Sequence, residues 1–190
     1  MYTILENQTG EIIINKSKFI GILYKINNVL EAQEFIKENQ DKYHDATHVC
    51  YAYIVNNQEK ASDDNEPQGT AGMPILSVLK KNHLTNILVV VIRYFGGIKL
   101  GSGGLIRAYS SITSITLEQT QIIPLKKGFI VTITFNYDKE TTINKLIKKE
   151  NIIKKEYQEL ITYQAKVDND TLDILKDLRL DYKVEREIIM

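Results

Sequence analysis

One cysteine, three prolines and no surplus of either charge sign mark what this 190-residue chain lacks. A single cysteine, Cys50, excludes an intramolecular disulfide and a zinc site built on clustered thiolates. In Val49-Cys50-Tyr51-Ala52 it reads as a small buried hydrophobe rather than a nucleophile, since no basic helix terminus stands near it in sequence to lower its pKa. Few prolines and no low-complexity run argue against extensive disorder. Twenty-four basic residues against twenty-four acidic ones leave no global field to draw the chain to nucleic acid or membrane, and the balance is even on both sides of residue 125. Any polyanion contact is therefore local. No run approaches 18 apolar residues, and the first residues lack the basic start and apolar core of a signal peptide, so the expectation is a cytoplasmic protein with no membrane partner.

What is present is ordinary globular composition, 43% apolar and 25% charged, in a length that leaves one or two domains open. Phe19 to Tyr24 reads as an early strand paired with Glu11 to Ile14. Asn28 caps a predicted helix in which Val29, Leu30, Ala32, Phe35 and Ile36 recur near helical period. Thr47 to Val55 is rich in β-formers and predicts a central strand, after which Asn56-Asn57 opens a polar segment lasting to Gln68. Within Ala71 to Lys81, which contains Met73, Ile75, Leu76 and Leu79, a helix is predicted to begin around Pro74, a residue suited to the first turn. Ile87 to Ile92 is the clearest strand, with an apolar content that predicts cover on both faces. Leu105 to Leu117 returns to helical periodicity.

The character changes after Ile122-Ile123-Pro124. Lys126-Lys127-Gly128 reads as a surface linker, and the remainder reads as strand 129–136, helix 138–149, strand 152–158, strand 160–167, helix 170–178 and strand 182–189, with Asp138 and Asp168 at the cap positions. That strand–helix–strand–strand–helix–strand order is the ferredoxin-like one. The expected domains are 1–125 and 126–190.

Two polar, glycine-rich stretches, Asp63 to Gly72 and Arg93 to Gly104, carry the chemistry. Five glycines from Gly96 to Gly104 permit positive φ or close backbone approach, and regular helix or strand is not expected across them. The stretch is neither a dinucleotide fingerprint nor a P-loop, because Lys99 precedes the last glycines. The amides of Gly101, Gly103 and Gly104 at a helix entrance form an anion nest, with Arg93, Lys99 and Arg107 as counter-charges; tight strand–helix packing explains the same glycines equally simply. Asp63, Asp64 and Glu66 suit a divalent cation, acid–base work or a solvated loop, and Asp63 or Asp64 suits the orientation of Arg93 or Arg107. Pro67, Gly69 and Gly72 stiffen that turn, and Glu66 to Thr70 are placed to present backbone amides at the entrance of the next helix. His48, at a strand start, is a polar group beside the acidic loop, and its spacing from His44 carries no HExxH glutamate. Ser62, Ser102 and Ser110 lie outside any nucleophile elbow.

The motifs Ser17-Lys18-Phe19-Ile20, Ala46 to Tyr53, Asp63-Asp64-Asn65-Glu66-Pro67-Gln68-Gly69-Thr70-Ala71-Gly72-Met73-Pro74 and Arg93 to Tyr109 resemble those of the YigZ/IMPACT family. The resemblance implies an α+β protein: an N-terminal ribosomal protein S5 domain 2-like domain and a C-terminal ferredoxin-like βαββαβ domain similar to a terminal domain of elongation factor G. It also implies a translation-associated role, since the eukaryotic relative is a translational regulator that binds the activator of a starvation-responsive kinase. Expected partners are the ribosome, structured RNA or a translation-related protein, and the alternative is an enzyme acting on a small phosphorylated or carboxylated substrate. The ligand-binding residues implied are His48, Asp63, Asp64, Glu66, Gly69, Thr70, Arg93, Lys99, Gly101, Ser102, Gly103, Gly104 and Arg107, with no metal, no cofactor and no assigned catalytic residue. Where the family pattern has glycine, this chain has Asn65, which tolerates left-handed backbone.

Overall fold

The computed structural model describes residues 1–55 and 58–189. Asn56 and Asn57, the opening of the polar segment, lie outside the described residues. The chain divides into two compact units, Met1–Pro124 and Leu125–Met190.

The first unit contains β1 (Tyr2–Ile4), β2 (Gln8–Ile14), β3 (Ser17–Lys25), α1 (Val29–Lys42), β4 (His48–Val55), β5 (Gln58–Ser62), α2 (Gly72–Lys81), β6 (Ile87–Tyr94), α3 (Gly101–Glu118) and β7 (Ile122–Pro124). Five strands form an antiparallel sheet in the order β2-β3-β6-β4-β5, and β1 pairs with β7 separately. The β2–β3 hairpin turns at Asn15 and Lys16, both at positive φ, a backbone that follows the strands' own twist. Asn28 caps α1 by accepting from the Glu31 amide at 3.0 Å.

Every residue of Ile87–Arg93 is buried because helices cover both faces of β6. Val89 and Val91 face the cluster that includes Ile75 and Leu79 of α2 and Leu105, Tyr109 and Ile112 of α3. Leu88, Val90 and Ile92 face Ala32 and Ile36 of α1. The period-2 alternation of a strand thus sends successive valines into two different cores.

Besides α2, which begins at Gly72 rather than around Pro74, two elements of this unit differ from the sequence reading. Part of the polar segment, Gln58–Ser62, is an edge strand; its register against Tyr51–Val55 is set by the partner strand rather than by its own composition. Helix α3 begins at Gly101, four residues before its apolar periodicity. Gly101, at φ +69°, turns the chain into the helix, and the packed face of Leu105, Ala108, Tyr109 and Ile112 outweighs the roughly 1 kcal/mol that each first-turn glycine costs.

The second unit contains β8 (Lys127–Phe135), α4 (Glu140–Leu146), β9 (Ile152–Tyr157), β10 (Ile161–Asp168), α5 (Asn169–Asp177) and β11 (Asp181–Ile189). The strands are all antiparallel in the order β11-β8-β10-β9. Val131, Ile133 and Phe135 of β8 and Ile161, Tyr163 and Ala165 of β10 pack on Ile143 of α4 and on Leu172 and Leu175 of α5. Asp168 caps α5 through the Thr171 amide at 2.9 Å. Asp138 caps nothing, because a single 3₁₀ turn over Tyr137–Lys139 precedes α4 and Asp138 falls inside it. Lys127 and Gly128 are strand rather than linker, paired with Ile189 and Ile188 of β11. Among the described residues no helix is long and apolar enough to cross a membrane.

Candidate functional site

The acidic turn is built from the inside out. Asp63 turns its carboxylate onto the backbone, accepting from the amides of Gly69 (2.7 Å), Ala71 (3.0 Å) and Gly72 (2.8 Å). It thereby supplies the anion at the amino end of α2, where Ala71 has no capping side chain. Burial works to raise its pKa, but these three N–H groups prevail and hold it below its ordinary value. Gly72 is required here, since a Cβ would stand 2.6 Å from the Ser62 backbone nitrogen. Asp64 accepts from the Val49 amide at 2.6 Å through its side chain and from His48 Nδ1 at 2.7 Å through its carbonyl. Asp64 and Asn65 both take positive φ, so asparagine holds the left-handed position. Thr70 is buried and donates to the Pro67 carbonyl.

Glu66 is the carboxylate that points away from this turn. Its Oε1 accepts from Arg93 Nη1 at 2.6 Å and from the Tyr109 hydroxyl at 2.8 Å, and both ends of the ion pair are buried. The Arg93 guanidinium lies over the rings of Phe19 and Phe95, at 5.4 and 5.6 Å, and reaches Ser17 Oγ at 3.5 Å. Among the described residues its buried Nε has no hydrogen-bond partner. Arg93 is therefore a scaffold cation neutralised by Glu66, not the surface counter-charge that the sequence suggested. The residue that orients it is Glu66, not Asp63 or Asp64.

Beneath the pair, Cys50 Sγ lies 3.0 Å from the Asp63 carbonyl and 3.4 Å from the Tyr109 hydroxyl. Burial pushes the Cys50 thiol pKa far up. Burial, Cys50 and Glu66 do the same to the Tyr109 phenol. Neither group ionises in the folded protein at neutral pH, so both act as fixed dipoles.

Arg93 ends β6, and the chain then passes Phe95 to Leu100 into α3. Gly96 has no room for a side chain, because a Cβ there would fall 2.0 Å from the Lys16 carbonyl carbon. That contact presses the segment against the β2–β3 turn, and the Gly96 amide donates to Ser17 Oγ. The Phe95 amide donates to Thr47 Oγ1, tying the same segment to the start of β4. The first turn of α3 has no capping side chain, and Gly101, Ser102 and Gly103 are exposed.

A cleft of about 460 Å³ opens between the acidic turn and the amino end of α3. It gathers His48, Glu66, Arg93, Lys99, Gly101 and Ser102 from the predicted set. Gly103, Gly104 and Arg107 follow on the first two turns of α3, with Gly103 and Arg107 exposed beside the cleft rather than lining it. Asp63, Asp64, Gly69 and Thr70 are not brought to it; their polar groups serve the turn. The acidic cluster accordingly offers neither a cation nest nor a pair of proton-transfer carboxylates, and among the described residues no three His, Cys, Asp or Glu side chains are placed to hold a metal ion.

Thr47, Pro67, Phe95, Leu100 and Leu105 also line the cleft and were not among the ligand-binding residues expected from sequence. Phe95 carried a legible signal, an aromatic between a strand end and a glycine pair that stays 47% exposed. Tyr109 carried a second: a tyrosine on the buried face of a helix needs a partner for its hydroxyl.

Residues 15–117 match the family model of the Impact N-terminal domain. The chain is 40% identical over 172 residues to the IMPACT family member YvyE of Bacillus subtilis, covering 88% of this chain and 79% of that protein. It is 39% identical over 111 residues to the IMPACT family member YigZ of Escherichia coli, covering 56% of this chain and 54% of that one. A solved crystal structure described as a hypothetical protein aligns over 96% of this chain and 95% of its own, with 29% identity and a TM-score of 0.71.

Proposed function

The chain belongs to the IMPACT family, and from that premise we propose that it is a translation-associated regulatory protein that engages the ribosome through the cleft between the acidic turn and α3. The observation that carries this reading is the division of labour inside the two glycine-rich stretches. Asp63, Asp64 and Arg93 are consumed by internal contacts, so what the stretches offer outward is Phe95, Lys99, Ser102 and the uncapped first turn of α3, held by the anchored backbone of Gly96. A positive helix end beside a lysine and an exposed aromatic suits a ribonucleoprotein surface.

We assign residues 1–125 to an S5 domain 2-like domain and residues 126–190 to a ferredoxin-like one. The antiparallel order β11-β8-β10-β9, with α4 and α5 as the connections, supports the second assignment. Thr132, Thr134, Thr162 and Gln164, which point outward from its two central strands, include no ring on which a base would stack, so the contact is placed on the cleft of the first unit.

The test is co-sedimentation with ribosomes at low salt. Wild-type protein is expected in the pellet, and a Lys99→Glu/Arg107→Glu variant, altered only at exposed side chains, in the supernatant. Wild-type protein that stays in the supernatant at low ionic strength sinks the proposal.

A further inference from the structure

The floor of the cleft presents an unusual pair of atoms. His48 Nδ1 lies 2.7 Å from the Asp64 carbonyl oxygen, which accepts and cannot donate, so Nδ1 carries the proton. In the neutral ring Nε2 is then an acceptor, and it faces Glu66 Oε2 at 3.7 Å, beyond hydrogen-bond reach. Glu66 Oε1 is occupied by Arg93 and Tyr109, whereas no described residue donates to Oε2, although the Glu66 side chain is only 2% exposed. With the ring neutral, two acceptors border one gap in a nearly buried place that lines the cleft. A donor from outside satisfies both.

The charge around the gap selects the kind of donor. Among the lining residues Arg93 is already offset by Glu66, so Lys99 sets the sign of the cleft, and the amino end of α3 adds positive potential. An ammonium would enter a place of net positive potential, so the donor that fits is neutral, an amino or amide N–H. The opposite end of the ligand is then an anion, received by the first-turn amides of α3, by Lys99 and by Ser102. Between the two ends Phe95 offers an exposed ring, and Leu100, Leu105 and Pro67 complete an apolar wall.

Resting on the reading of this cleft as the binding surface, we infer that it accepts one nucleotide unit bearing an exocyclic amine. The amine donates to His48 Nε2 and Glu66 Oε2, the base stacks on Phe95, and the phosphate sits at the amino end of α3. Carboxylate acceptance from a base amine, stacking on an aromatic ring and phosphate capture by a helix amino end are each established modes of recognition. A cleft of about 460 Å³ is in the range for a ligand of this size. The unit is either a free mononucleotide or the phosphorylated end of a single strand of RNA.

Calorimetric titration of the full chain with CMP, AMP, UMP, ribose 5-phosphate and inorganic phosphate tests the inference. CMP or AMP is expected to bind about tenfold or more tightly than UMP, whose one ring N–H is flanked by carbonyl acceptors that His48 and Glu66 repel. Ribose 5-phosphate and phosphate are expected to be weaker than either. Phe95→Ala, a change at an exposed ring, is expected to weaken CMP or AMP binding about tenfold. Glu66→Gln would disturb the buried Arg93 pair as well as the gap, so Phe95→Ala carries the test. A 5′-phosphorylated trinucleotide that binds at least as tightly as the mononucleotide identifies an RNA end as the source, and a tenfold weaker one identifies the free nucleotide. The inference is overturned if no nucleotide binds at millimolar concentration, if UMP or ribose 5-phosphate equals CMP and AMP, or if Phe95→Ala leaves affinity unchanged. Ribosome pelleting that survives such a result leaves the translational proposal standing; nucleotide binding without pelleting removes that proposal alone.

Discussion

Glu66 and Arg93, 27 residues apart in sequence, meet in a buried 2.6 Å ion pair that joins the acidic turn to the end of the central strand. The Tyr109 hydroxyl shares the same carboxylate oxygen, so three elements converge on one atom. Such a pair locks the cleft's floor to its walls, and removing either member strands a charge out of water.

Glu66→Gln and Arg93→Met are therefore each expected to destabilise the first unit, by about 3–5 kcal/mol for the arginine change, which leaves the carboxylate without its cation. The double variant Glu66→Gln/Arg93→Met is expected to be more stable than Arg93→Met alone, because no unpaired charge remains. Urea unfolding of the three variants measures this, and single-variant losses below about 1 kcal/mol would refute the account.

Asp63 gives the fold an acid-sensitive joint. Its folded-state pKa lies below the ordinary 3.8, so its contribution is fully present above that value and disappears as pH falls through the depressed folded value. Asp63→Asn keeps the shape but loses the charge facing three amides, and is expected to cost about 2–3 kcal/mol at pH 7. The variant's stability should also change less between pH 5 and pH 2 than that of wild type. An unaltered acid limb in the Asn variant would assign the acid sensitivity elsewhere.

Glycines in the Arg93 to Gly104 stretch are expected to differ in tolerance. Gly96→Ala puts a Cβ 2.0 Å from the Lys16 backbone and should lower the melting temperature by several degrees or prevent folding. Gly103→Ala meets only the end of the Arg107 side chain at 3.6 Å and gains helix propensity, so it should be neutral or stabilising by up to about 1 kcal/mol. Thermal melts of the two variants with equal losses would contradict the packing described.

Cys50 is sealed and its thiol held protonated by burial, so alkylation of native protein at pH 8 is expected to be slower by about a hundredfold or more than in denaturant. Iodoacetamide labelling followed by mass spectrometry reads the ratio directly. Rapid modification of the folded chain would mean that the layer between β4 and α3 opens.

Much of the architecture was legible because it rests on local signals. Ile87 to Ile92 could only be a strand covered on both sides, and Asn28 and Asp168 cap the helices that follow them. Gln58–Ser62 was not legible, since Gln-Glu-Lys-Ala-Ser has no strand pattern and pairs only because β4 offers an edge. Of the candidate site, the location was readable and the roles were not. Three carboxylates within four residues look alike in sequence, yet Asp63 faces amides, Asp64 faces a strand end and Glu66 faces an arginine. Which way each turns is decided by residues far along the chain. Asn65 sits at the positive-φ position where the family pattern has glycine, as its backbone tolerance allows.

The strands at the rims of the two larger sheets, β2, β5, β9 and β11, bear on how the protein behaves when crowded. Each carries charged side chains: Glu11, Glu59 with Lys60, Lys154 with Lys155, and Lys183 with Glu185. The pairings of β9 and β11 are also broken by register shifts. A second copy approaching edge to edge must desolvate those charges, and at β9 and β11 it also meets a kinked ladder instead of an open row of amides. Concentrated solutions should therefore resist the strand-to-strand zippering that begins aggregation.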